Sequence, residues 1–103
     1  MVKTIGEAIE MLRKIVQEAQ DVLAETENLV AKSEALFAIA QAQGDAGNAI
    51  KASETMGASR MAHLRARLNL ETQRFYLSEM EKVAAVKGLD WEGNPGVRIT
   101  AAN

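Results

Sequence analysis

The sequence predicts an all-α fold, a long antiparallel helical hairpin that packs into a homo-oligomeric bundle or ring. Three observations carry this. Hydrophobic residues make up 48% of the chain and many are alanine, while aromatics are only 4% and proline occurs once, at Pro95. That is the composition of long packed helices, not of a sheet. Apolar positions recur at alternating spacings of three and four over two stretches of about 40 residues each. One strong break, at Gly44-Asp45-Ala46-Gly47-Asn48, separates the two stretches.

The first helix is expected to start at Thr4-x-x-Glu7, which fits a capping box: the threonine hydroxyl takes one orphan amide and the glutamate reaches back to another. Ile5, Ile9, Leu12, Val16, Ala19, Leu23, Thr26 and Val30 follow as a heptad-like seam with one polar interruption at Thr26. Ala8, Met11, Ile15, Val22, Leu29 and Leu36 form a second row that widens the stripe. The helix continues through Ala35-Leu36-Phe37-Ala38-Ile39-Ala40, and a break near 31–33 is compatible with Ser33 as an N-cap.

Gly44 suits a left-handed C′ position and Asp45 can cap the next helix, so the chain reverses there. From Ala46 to about Lys87 the pattern is helical again. Ile50, Gly57, Met61, Leu64, Leu68 and Phe75 share one row, and Ala66, Leu70, Leu77, Met80 and Ala84 another. Gly57-Ala58-Ser59 can kink or divide this arm, because glycine costs about 1 kcal/mol relative to alanine inside a helix.

Two arms of this length would each reach roughly 60 Å at 1.5 Å per residue. Two helices cannot bury stripes this wide; each arm covers one row against its neighbour and leaves the other exposed. Association between copies is the expected resolution, with Ile9, Leu12, Val16, Leu23, Leu64, Leu68 and Phe75 as interface residues. The predicted organisation is an oligomerisation domain over 1–88 and an irregular partner-binding tail over 89–103, where breakers cluster around Gly93-Asn94-Pro95-Gly96.

The chemistry-bearing inventory points away from an enzyme. Without cysteine, disulfide scaffolds, cysteine zinc sites and thiol catalysis are excluded. His63 is the only histidine, and neither Ser59 nor Arg67 gives it a metal-ligating partner one turn away, so no metal or other cofactor is expected. Glu7 with Glu10, Glu18 with Asp21, and Glu25 with Glu27 read as solvated helical faces. Gly44-x-x-Gly47 is too short for a phosphate loop and lacks the following Lys-Ser/Thr. No apolar run approaches the roughly 18 to 20 residues that span a bilayer, and the N-terminus has no uninterrupted apolar stretch, so a cytoplasmic protein without membrane partners is expected.

Net charge is −2, which argues against a monomer that neutralises many phosphates. The distribution is uneven: residues 1–45 hold four Lys/Arg against eight Asp/Glu, and residues 46–103 eight against six. Lys51, Arg60, Arg65, Arg67 and Arg74 concentrate the positive charge, with Arg60, Arg67 and Arg74 every seven residues on one face. Two roles fit them, weak non-specific contact with double-stranded DNA multiplied by oligomerisation and pairing with the acidic first arm. Two roles also fit Trp91, docking on a partner and folding back to staple the end of the hairpin. The alternation of Val97, Arg98, Ile99 and Thr100 suits strand addition to a partner's sheet edge.

The segment Gly44-Asp45-Ala46-Gly47-Asn48-Ala49-Ile50-Lys51-Ala52-Ser53-Glu54-Thr55-Met56-Gly57 resembles one found in small terminase subunits of tailed bacteriophages, where a Gly-Asp turn precedes a helix reading Ala-Ile-Lys/Arg-Ala, then Glu, and ending near Gly. The matching positions are Gly44, Asp45, Ala49, Ile50, Lys51, Ala52, Glu54 and Gly57. The resemblance implies a non-catalytic DNA-packaging adaptor in the cytoplasm of the producing bacterial host: an oligomeric ring that contacts DNA and regulates the large terminase, an ATPase and nuclease, with a C-terminal segment on that subunit. The chain departs from many members in beginning with a heptad-like helix and not a helix-turn-helix. It looks like the short form found in gene transfer agents, or a chain trimmed of that domain. The alternative is an unrelated helical, coiled-coil-type adaptor that binds protein partners only.

Overall fold

The computed structural model describes residues 2–93. They form two α-helices, α1 (Ile5–Ala42) and α2 (Ala46–Lys87), packed against each other as a hairpin. Neither helix breaks where the sequence allowed it. Ser33 is buried, and its hydroxyl donates to the Val30 carbonyl at 2.9 Å; satisfied inside the helix, it has no need to cap a new one. Gly57 is exposed and keeps a helical backbone, so its cost is one of propensity alone.

The seam on α1 follows the heptad read from the sequence. Ile5, Ile9, Leu12, Val16, Ala19 and Thr26 are buried, Leu23 and Val30 half-buried, and the 3-4 spacing continues through Ser33, Phe37 and Ala40. On α2 the facing positions are Met56, Ser59, His63, Ala66, Leu70, Leu77, Met80 and Ala84, all buried or half-buried.

Two compact units divide the chain: the described parts of Met1–Ala19 with Leu70–Asn103, and Gln20–Asn69. In the first, Ile5, Ala8 and Ile9 form a buried cluster against which Val2, Leu77, Met80, Ala84 and Trp91 pack. Arg13 and Glu81 pair at 3.7 Å on the flank.

In the second unit the seam is built from small and polar side chains, with Thr26, Ser33, Ala40, Ser59 and Ala66 buried. The Thr26 hydroxyl donates to the Leu23 carbonyl at 2.9 Å and lies 3.2 Å from His63 Nδ1. A hydroxyl has one proton, so Nδ1 of His63 is the donor to Thr26 Oγ1.

The reversal between the helices follows the expected chemistry. Gly44 has φ +70. Its amide donates to Gln41 at 3.1 Å and the Asp45 amide to Ala40 at 2.9 Å, the paired bonds of a Schellman motif. Asp45 then caps α2: Oδ1 accepts from the Asn48 amide at 3.1 Å and Oδ2 from the Asn48 side chain at 2.7 Å. These two bonds, the backbone one foremost, hold the Asp45 carboxyl below its ordinary range.

Candidate interaction surface

With the seam fixed, the remaining apolar residues of each helix can be placed by rotation at about 100° per residue. On α2, Arg60 and Arg67 follow the seam positions Ser59 and Ala66 by one residue and so line one flank of the unit Gln20–Asn69. Beyond them, on the outer side, run Ile50, Met61, Leu64, Leu68 and Phe75, between 38% and 62% exposed. On α1, Val22, Leu29 and Leu36 are each about half exposed. Both helices therefore carry an apolar row that the hairpin leaves in water, while their other rows close the seam.

This divides the residues expected at an oligomer interface. Leu64, Leu68 and Phe75 are exposed, whereas Ile9, Leu12 and Val16 are buried and Leu23 half-buried. The last four are consumed by the chain's own seam, the strongest apolar surface within its reach, and offer little area to a second copy. The row that sequence reasoning left out of the site, Val22, Leu29 and Leu36, is the accessible one on α1. Its signal was present in the strict seven-residue spacing beside the seam.

All five residues of the basic cluster, Lys51, Arg60, Arg65, Arg67 and Arg74, are exposed. Arg60 pairs with Glu34 across the hairpin at 3.6 Å, both side chains at least half in solvent, so this is a surface pair of small energetic value. Among the described residues it is the one member of the cluster held in an ion pair.

Trp91 folds back onto the hairpin's end and is half-buried there. The cause lies in the backbone. The first amides of α1 lack partners within their helix, and residues 89–93 supply them: Ile5 donates to the Trp91 carbonyl and Gly6 to the Leu89 carbonyl, both at 2.9 Å. The indole is thereby laid against the Ile5, Ala8 and Ile9 cluster, with Lys87 Nζ 5.8 Å from its ring centre. Gly6 eases the approach, since a Cβ there would stand 3.2 Å from the Leu89 oxygen, tighter than ordinary contact. Gly88, at φ +88, turns the chain back after α2. The expected capping box is half formed: the Glu7 amide donates to Thr4 Oγ1 at 3.2 Å, but the Glu7 carboxylate accepts from Lys3, at 3.3 Å. Val97, Arg98, Ile99 and Thr100 lie outside the described residues.

No family model, curated protein or solved structure matches this chain. Over the segment 44–57, Gly44 and Asp45 form the turn and α2 runs on past Gly57 to Lys87. Among the described residues, no three His, Cys, Asp or Glu are grouped to hold a metal, and no helix is long and apolar enough to cross a membrane. The carboxylates of Glu7, Glu10, Glu18, Asp21, Glu25 and Glu27 are all exposed on α1.

Proposed function

We propose that this chain is a non-catalytic helical adaptor that assembles with copies of itself, in the manner of a small terminase subunit, and brings a motor protein to DNA. The observation that carries the reading is the pair of apolar rows left exposed after the seam is filled, surface that water disfavours and a second copy would cover. The basic strip supports the DNA part. Each copy offers only a few cations, so a single chain binds phosphates weakly, and an assembly that repeats the strip binds with avidity. Residues 94–103 are assigned to the large terminase subunit, on the strength of the resemblance at 44–57.

A protein-only adaptor is the second reading. The ion pair between Arg60 and Glu34 favours it, because it spends part of the basic strip on the acidic arm.

Native mass spectrometry at micromolar concentration tests assembly, and a strict monomer sinks it. Fluorescence anisotropy with duplex DNA at low salt tests the strip. Charge reversal at Arg60, Arg67 and Arg74 is expected to weaken binding by roughly tenfold or more and to flatten its salt dependence. Unchanged binding by an assembled variant refutes the strip as the DNA contact, whereas no binding by the assembled wild type leaves the protein-only reading. Removal of residues 94–103 is expected to abolish co-purification with the large terminase while leaving the oligomer intact.

A further inference from the structure

We infer that copies associate head to tail, the outer row of α1 in one copy (Val22, Leu29, Leu36) seating on the outer row of α2 in the next (Ile50, Met61, Leu64). The inference rests on the self-assembly proposed above and specifies which surfaces meet. All six side chains belong to the compact unit Gln20–Asn69.

The rows look to different sides of the hairpin. Glu34 and Arg60 mark one flank, where they pair across the seam. Leu36 is two residues beyond Glu34, about 200° round the helix, and lies on the other flank, where it lines an open groove with Ser33, Ala52 and Thr55. On α2, rotating from seam residue Ser59 past Arg60 leads to Leu64 and Ile50 and then to Met61, each about 40–100° beyond Arg60. That row faces outward on the Arg60 side. A two-fold contact through one row covers that row twice and leaves the other in water; a head-to-tail contact covers both.

Pitch and charge select the same arrangement. Val22, Leu29 and Leu36 recur every seven residues, and Ile50 and Leu64 are fourteen apart, so both rows share the heptad repeat that lets side chains interdigitate. Beside the α1 row stand Asp21 and Glu25 against Lys32, a net −1, with Glu27 and Glu34 on the far flank. Beside the α2 row, apart from the internally paired Arg60, stand Arg65 and Arg67 against Glu54, a net +1. A contact of α1 on α1 or of α2 on α2 sets like charges against each other, whereas α1 on α2 sets opposite ones together and chooses the partner surface.

The absence of native cysteine makes disulfide trapping clean. Single variants Val22→Cys, Leu29→Cys and Leu36→Cys are each co-refolded with each of Ile50→Cys, Met61→Cys and Leu64→Cys. Each sample is oxidised and run on a denaturing gel beside the variants alone, and all six positions are exposed enough to leave the hairpin folded. At least one mixed pair is expected to give a covalent dimer at five times or more the yield of either variant alone. Self-crosslinking that matches or exceeds every mixed pair, in samples shown to be oligomeric, overturns the head-to-tail arrangement but keeps self-assembly. A monomer by native mass spectrometry removes both.

Discussion

Replacing Trp91 with alanine tests whether the residues after α2 belong to the folded structure. The half-buried indole packs on the Ile5, Ala8 and Ile9 cluster. A fully buried aromatic side chain covers about 150–250 Å². Roughly half of that, at about 25 cal/mol per Å², is worth about 2–3 kcal/mol, an upper estimate because the unfolded chain already hides some of the surface. The Lys87 contact adds about 0.5 kcal/mol at an exposed position. The backbone bonds from Ile5 and Gly6 survive the substitution in principle, so they are left out. For a chain of this size about 4 °C of melting temperature is lost per kcal/mol, which places the expected drop at about 10–14 °C. Far-UV circular dichroism at one fixed protein concentration measures it, since association would otherwise move the midpoint. Acrylamide quenching of this sole tryptophan is an independent check, and the wild-type indole should be less accessible than in the urea-unfolded chain. A drop below about 2 °C, with free access of the quencher in the wild type, would mean that residues 89–93 do not staple the hairpin.

Leu12→Ala empties a fully buried position and should cost about 2–5 kcal/mol in urea unfolding, while Met61→Ala, half exposed, should change the diluted monomer by no more than about 0.5 kcal/mol yet weaken association in native mass spectra. Gly44→Ala and Gly57→Ala should differ in sign. The first forces a side chain to φ +70 and should destabilise by about 1–2 kcal/mol; the second acts in open helix and should stabilise by up to about 1 kcal/mol. Asp45 gives a pH dependence. Its folded-state pKa lies below the ordinary 3.8, so its contribution is present above the unfolded value and is lost as pH falls through the folded one. Melting temperatures across the acid range should therefore fall less steeply for Asp45→Asn than for the wild type, and parallel curves would show that the cap carries no such linkage.

The legibility of the fold in the sequence differed between the arms for a physical reason. On α1 the seam begins with Ile5, Ile9, Leu12 and Val16, so the 3-4 spacing stands out. In the middle of α2 the seam runs through Ser59, His63 and Ala66 while Met61, Leu64 and Leu68 lie outside it, and hydrophobicity alone cannot tell which row faces inward. The turn was fully legible, because Gly44 and Asp45 act through local chemistry that needs no tertiary partner. The fold-back of Trp91 was not decidable, since its cause is a pair of carbonyls meeting the amides of Ile5 and Gly6, and carbonyls carry no side-chain signature. The one trace was Gly6, an odd residue for the first turn of a long helix until Leu89 is seen beside it.

Composition also explains why self-assembly and folding are hard to separate in Gln20–Asn69. Burying a leucine contributes about 2 kcal/mol, whereas fixing a residue's backbone costs about 1–2 kcal/mol. A seam whose buried residues are Thr26, Ser33, Ala40, Ser59 and Ala66 returns little of that second quantity. The side chains able to return it, Leu29, Leu36, Met61 and Leu64, point into water. The contact between Thr26 and His63 adds direction more than energy, since a polar pair in a seam disfavours registers that leave it unmatched. The helices of this unit are thus aligned by polar groups and supplied with apolar area for use elsewhere, so whatever covers the outer rows also completes the fold of the unit that carries them.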